Sequence, residues 1–142
     1  MLSQYINNNT SSVFDGYSVA LGGSRQLAAY EKNKKIFVGD ISAVLLKNLP
    51  FWAQTIRTPK LGVAMMPEWE EKIKLMAKIT SKKNVTSLSG VPTWTIVLIK
   101  EILKNTGANN ILDIWPNLEL FIHGAVSFVP YKKVFNELIP SK

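Results

Sequence analysis

Residues 84 to 107 read NVTSLSGVPTWTIVLIKEILKNTG, and this stretch decides the fold. It opens with a short run, Val85 to Leu88, in which β-branched and apolar residues mark a strand. Ser89 and Gly90 break the run. Pro92 suits a first helical turn, where the N–H it lacks has no intrahelical partner to lose. Gly107 stands where a helix ends. Between them Trp94, Ile96, Val97, Leu98, Ile99 and Ile102 leave almost no polar face, so the helix is expected to pack on more than one side. Further on come a short turn, Ile111 to Trp115, closed by Pro116, and a second buried strand, Leu118 to Ile122. A last helix, Tyr131 to Leu138, follows Pro130. Strand, helix, strand, helix is the βαβ order of a parallel sheet with covering helices. The two strands should therefore run parallel, with helix 92–106 packed across them.

Upstream, residues 66–84 read MPEWEEKIKLMAKITSKKN, the best helix of the chain. Pro67 fits its first position. Glu68, Glu70 and Glu71 lie at the positive end of the helix dipole, and Lys78, Lys82 and Lys83 at the negative end. Trp69, Ile73, Met76 and Thr80 form a stripe of helical spacing, core filler rather than a cofactor box. Asp40 is expected to cap an earlier helix with an apolar stripe of Ile41, Val44, Leu45 and Leu49. Pro50 ends it, and a second helical segment, Phe51 to Arg57, precedes Pro59. In FDGYSVALGGS, 14–24, a turn at Asp15-Gly16 leads into a strand, Tyr17 to Leu21, stopped by Gly22-Gly23. Residues 25–35 read as a polar loop, Ile36 to Val38 as a short extended piece, and residues 2–8 as the tail of a helix. No repeat or linker divides the chain, so residues 1–142 are expected to form a single α/β unit.

Composition narrows the function. Apolar residues make up 46% of the 142 and charged residues 19%, a globular balance with a thin charged surface that suits contact with further protein. There is no cysteine, which excludes disulfides and thiolate metal sites and fits a reducing, cytoplasmic setting. No apolar run approaches the ~18 residues of a membrane-spanning helix, and the N-terminal MLSQYINNNT has neither the basic nor the apolar part of a signal peptide. The net charge of +7 raises nucleic acid as a partner. The lysines, however, are scattered in small groups such as Lys32, Lys34, Lys35 and Lys72, Lys74, Lys78, and only Arg25 and Arg57 are arginines. Base and bidentate phosphate contacts favour Arg, so the lysines are read as solvated faces.

In a parallel α/β sheet, ligands gather beyond the carboxyl ends of the strands. Two junctions qualify, Leu88-Ser89-Gly90-Val91-Pro92 and Ile122-His123-Gly124-Ala125-Val126-Ser127. A glycine without a Cβ lets a ligand approach the backbone at each, and a purine ring could lie against the second; the plainer alternative is that Gly124 permits a tight turn. His123, the one histidine, has no partner with metal-ligand spacing and no activated Ser beside it. It is expected to be packed and hydrogen-bonded. LGGSRQ, 21–26, lacks the spacing of a phosphate loop. The residues thus offer a pocket at two strand ends and no catalytic constellation.

Three blocks, FVGDISAVLLKNLPFWAQTIRTP, NVTSLSGVPTWTIVLIKEIL and IWPNLELFIHGAVSFVPY, resemble the GH3 auxin-responsive promoter family in its bacterial branch, with matching order and spacing from about Phe14 to Ser141. The resemblance implies the fold of the acyl-adenylating enzymes and the activity of an ATP-dependent acyl-acid amido synthetase. In that reaction ATP, with Mg²⁺, converts a carboxylic acid to an acyl-adenylate, and an amine or amino acid displaces AMP. Family members are several times longer. Their Ser/Thr-rich phosphate loop should precede residue 1, and their Tyr-x-x-Ser-Glu-like motif and C-terminal domain should follow Pro140. The resemblance therefore makes this chain an internal piece of the large N-terminal domain, inactive by itself and partnered by the remainder of its polypeptide. It implies nucleotide contact at Gly124, Ala125 and Val126, and a substrate-side wall at Ser89, Gly90, Val91 and His123, where relatives of His123 often carry a small residue. Two other readings stay open: a small non-enzymatic α/β binding module, and a basic nucleic-acid-binding domain.

Overall fold

The computed structural model describes residues 2–8, 10–23 and 41–140. The Asp40 cap, the loop at 25–35 and the extended piece Ile36 to Val38 lie outside the described residues. Among the described residues four strands form one sheet: β1 (Tyr17–Ala20), β2 (Arg57–Thr58), β3 (Val85–Gly90) and β4 (Leu120–His123). Their order is β2-β1-β3-β4 and every pairing is parallel. The expected parallel partnership of the two strands flanking the apolar helix is thus present, with Ser87 opposite Leu120 and Gly90 opposite His123.

Seven α-helices accompany the sheet among the described residues: α1 (Leu2–Asn8), α2 (Ile41–Lys47), α3 (Phe51–Thr55), α4 (Leu61–Ala64), α5 (Trp69–Thr80), α6 (Pro92–Thr106) and α7 (Lys132–Leu138). Pro92 opens α6 as expected, and Gly107 caps it in the left-handed region with φ 73°. The main core lies between one face of the sheet and the pair α5–α6. Val19, Val85 and Leu88 from the strands meet Met76, Leu98, Ile99 and Ile102 from the helices, all at most 0% exposed. Trp115, in the turn after α6, is equally buried, and its indole N–H donates to the Thr80 carbonyl at 2.9 Å, tying that turn to the end of α5. The opposite sheet face presents Ser18, Ala20, Ser87 and Ser89 toward Leu46 and Leu49 at α2 and Trp52 and Ala53 of α3.

Three expectations about the elements need correction. The helix α5 starts at Trp69 rather than Pro67, with Glu68 as its N-cap. The segment Phe51 to Arg57 is helical only to Thr55; Arg57 and Thr58 extend and pair with β1, and that strand places Arg57 in the sheet. On α2 the stripe is inverted. Ala43 and Leu46 are buried, whereas Ile41 is 80% and Leu45 63% exposed. On α6, Leu98, Ile99 and Ile102 face the core and the helix touches β3, α5 and α7, so it packs on more than one side as expected, although Trp94 and Val97 remain exposed. In both helices apolar residues exceed what the nearest core can cover, and on α2 periodicity then misidentifies the covered face.

Candidate functional site

A parallel sheet brings the carboxyl ends of its strands to one edge. Here that edge borders a cavity of about 770 Å³. Leu21, Gly22 and Gly23 follow β1 into it, Gly90 and Val91 end β3, and Ile122, His123, Gly124 and Ala125 end β4. Ile41, Ser42 and Leu45 of α2, Trp69 and Lys72 of α5 and Trp94 of α6 complete the wall. The rings of Trp69 and Trp94 lie 4.2 Å apart between centroids, a broad aromatic surface on the helix side.

Of the seven expected site residues, Gly90, Val91, His123, Gly124 and Ala125 meet in this cavity. Ser89 does not. Alternation along β3 turns it to the other sheet face, where it lines a second cavity with Ser87. Val126 lies just beyond the wall and is exposed. Gly90 is needed by the chain itself, since a Cβ there would lie 2.8 Å from the Leu21 Cβ and 3.0 Å from its carbonyl oxygen. Gly124 is different: a Cβ at that position would meet nothing within 4 Å. The left-handed backbone of this turn falls on the next residue, Ala125, at φ 70°. A non-glycine residue there costs roughly 1–2 kcal/mol, and such strain gathers at functional turns.

His123 is packed as expected, but no hydrogen bond holds its ring among the described residues. It is exposed, and its ring stacks on Phe128 at 4.5 Å with a 23° interplanar angle. Phe128 in turn packs on Phe121 and Phe135, which stack on each other at 4.9 Å. The histidine is thus held flat at the cavity rim by an aromatic cluster. The strand end exposes it because β4 is the outermost strand among those described.

Sequence reasoning missed Lys72, which it read as part of a solvated face. Lys72 is 1% exposed; its Nζ donates to the carbonyls of Gly22 and Gly23 and lies 5.3 Å above the Trp69 ring. The signal was available: Lys72 stands three residues after Trp69 and four before Met76, inside the buried stripe. A lysine there ties α5 to the turn after β1 and sets a positive charge beside the cavity.

Glu119, just before β4, is the group held furthest below its ordinary range. Desolvation pushes its carboxyl up, but hydrogen bonds from Ser11, Ser12 and Tyr5 outweigh this and bring it to about 2. The Ser12 amide and hydroxyl donate at 2.9 and 2.8 Å and the Tyr5 hydroxyl at 3.0 Å. This cluster sits at the amino end of the strand, away from the cavity, and fastens α1 to the sheet. Among the described residues no group of three His, Cys, Asp or Glu side chains could hold a metal ion.

Comparison with curated proteins and with solved structures gives no match for this chain. The family model of the GH3 family N-terminal domain matches residues 4–142, nearly the whole length. A match over that much of the chain settles one assignment: the chain belongs to the GH3 family.

Proposed function

We propose that this chain forms part of the adenylate and acyl pocket of an ATP-dependent acyl-acid amido synthetase, working with further parts of a longer polypeptide. In the proposed reaction a carboxylate oxygen attacks the α-phosphorus of ATP, pyrophosphate leaves, and an amine then attacks the acyl carbon and expels AMP. The observation that carries the reading is the convergence of Gly90, Val91, His123, Gly124 and Ala125 on one cavity at the carboxyl edge of the sheet. The open side of Gly124 suits a flat ring lying against the main chain. Trp69, Trp94, Ile41 and Leu45 suit the apolar body of an acyl group. Lys72 contributes positive charge near an anionic nucleotide or carboxylate. Metal and phosphate contacts are assigned to no described residue of this chain, whose share is to bind and orient the flat and apolar parts of the ligands.

The test is Gly124→Val in the complete polypeptide. Because a Cβ at Gly124 has free space and its φ is not left-handed, the variant is expected to melt like the parent. The branched side chain would fill the mouth of the cavity, and ATP–pyrophosphate exchange is expected to fall by at least about tenfold, equivalent to ~1.4 kcal/mol of lost transition-state stabilisation. Undiminished exchange would refute the pocket. A drop in melting temperature matched by a proportional loss of exchange would show that Gly124 serves the turn instead.

A further inference from the structure

On the sheet face opposite the α5–α6 core lies a second cavity of about 300 Å³. A polar row crosses the three strands beneath it. Arg57 of β2 is in register with Ser18 of β1, and Ser18 with Ser87 of β3; Ser89 follows two residues later on the same face. The other described residues of the wall are apolar, among them Phe14, Leu46, Leu49, Trp52 and Ile56. Arg57 is 8% exposed, and its Nε and Nη1 are buried without a hydrogen-bond partner among the described residues. Burial also lowers its pKa, as expected of a cation removed from water. A guanidinium left in that state is costly, and natural proteins pair such groups.

We infer that this cavity is a binding site for a carboxylate with a small apolar body, the carboxylate on Arg57 and the serine row, the body against Trp52, Phe14 and Leu49. The chemistry selects the class. A guanidinium pairs best with a planar carboxylate, and serine hydroxyls can donate to its remaining lone pairs. The volume admits a single small aromatic or branched aliphatic acid. The site is distinct from the pocket described above: no described residue lines both cavities.

Benzoate and its neutral isostere benzamide test the inference on the chain as it stands, followed by tryptophan fluorescence and thermal melting. Benzoate is expected to raise the melting temperature and to bind at least about tenfold more tightly than benzamide. Arg57→Met should abolish that preference while melting no lower than the parent, because it removes an unpaired buried charge. Trp52→Phe should keep the preference and lose most of the fluorescence response, which locates the ligand. Equal affinity for benzoate and benzamide, or benzoate binding undiminished in Arg57→Met, would overturn the inference. Absence of benzoate binding to the parent chain would overturn it as a site for free acids and leave the guanidinium to a carboxylate side chain of another polypeptide segment. ATP–pyrophosphate exchange plays no part in these measurements, so this inference and the adenylation reading fail separately.

Discussion

Glu119 joins the amino-terminal segment to the sheet through hydrogen bonds donated by Ser11, Ser12 and Tyr5, and its depressed pKa makes that joint sensitive to acid. A carboxylate whose folded pKa lies below its unfolded value favours the folded state above the unfolded pKa and loses that contribution as pH falls through the folded one. The window here runs from about 4.5 down to about 2. Melting curves of the parent and Glu119→Gln should differ by a few degrees near pH 7, with the parent higher, and converge toward pH 2. A constant gap across the window would mean that the carboxylate charge is irrelevant and only side-chain shape matters. At this scale the sequence was legible where chemistry is local. Gly107 as a cap could be read from its neighbours. Residue type hid the burial of Lys72 and Arg57, because long basic side chains are usually solvated, and only the place of Lys72 within the stripe of Trp69 and Met76 signalled it. Their burial follows from contacts up to about fifty residues away in sequence, such as Lys72 with Gly22 and Gly23.

Helix faces carry the next level of information. Along α6, neighbouring apolar residues have opposite fates: Leu98 is 0% and Val97 38% exposed. Leu98→Ala should cost about 2–5 kcal/mol because the close-packed interior around it relaxes only in part. Val97→Ala should change stability by less than about 0.5 kcal/mol. Denaturant melts of the two variants check the assignment, and equal losses would mean that the exposed side of α6 is covered after all. The strand–helix–strand unit itself was legible because its signals agree: a β-branched run, Pro92 at the start, Gly107 at the end, and a second apolar strand after a short turn. The two-residue strand β2 was hidden for the converse reason. Arg57 and Thr58 have no periodicity to show, and only pairing with β1 makes them a strand. The position of Ser89 was misjudged by one residue's worth of alternation, which sends it to the opposite face from Gly90.

At the scale of the whole molecule, the apolar side chains outnumber the places where the described residues can bury them. Phe51 is 84%, Ile41 80% and Trp52 60% exposed, on helices that flank both cavities, and Val129 before α7 is 81% exposed. Scattered single exposures are ordinary, but three large residues within twelve positions of the chain are not. The thin charged fraction pointed the same way in the sequence. The arrangement suits a protein unit that meets further protein along its α2–α3 side, in keeping with the GH3 assignment and with the proposal of a longer working polypeptide. Two consequences follow in solution. The chain should bind a dye specific for exposed apolar surface while giving a cooperative melt, since the α5–α6 core does not depend on this side. Ile41→Ser together with Phe51→Ser should then reduce dye binding severalfold without lowering the melting temperature, because neither side chain is buried and an exposed substitution changes stability by less than about 0.5 kcal/mol. A parent chain that melts cooperatively and binds no dye would show that this side is already covered, by the chain itself or by a second copy. Sedimentation of the same sample separates those two cases. Loss of the cooperative melt in the double-serine variant would instead place Ile41 and Phe51 inside the folded core.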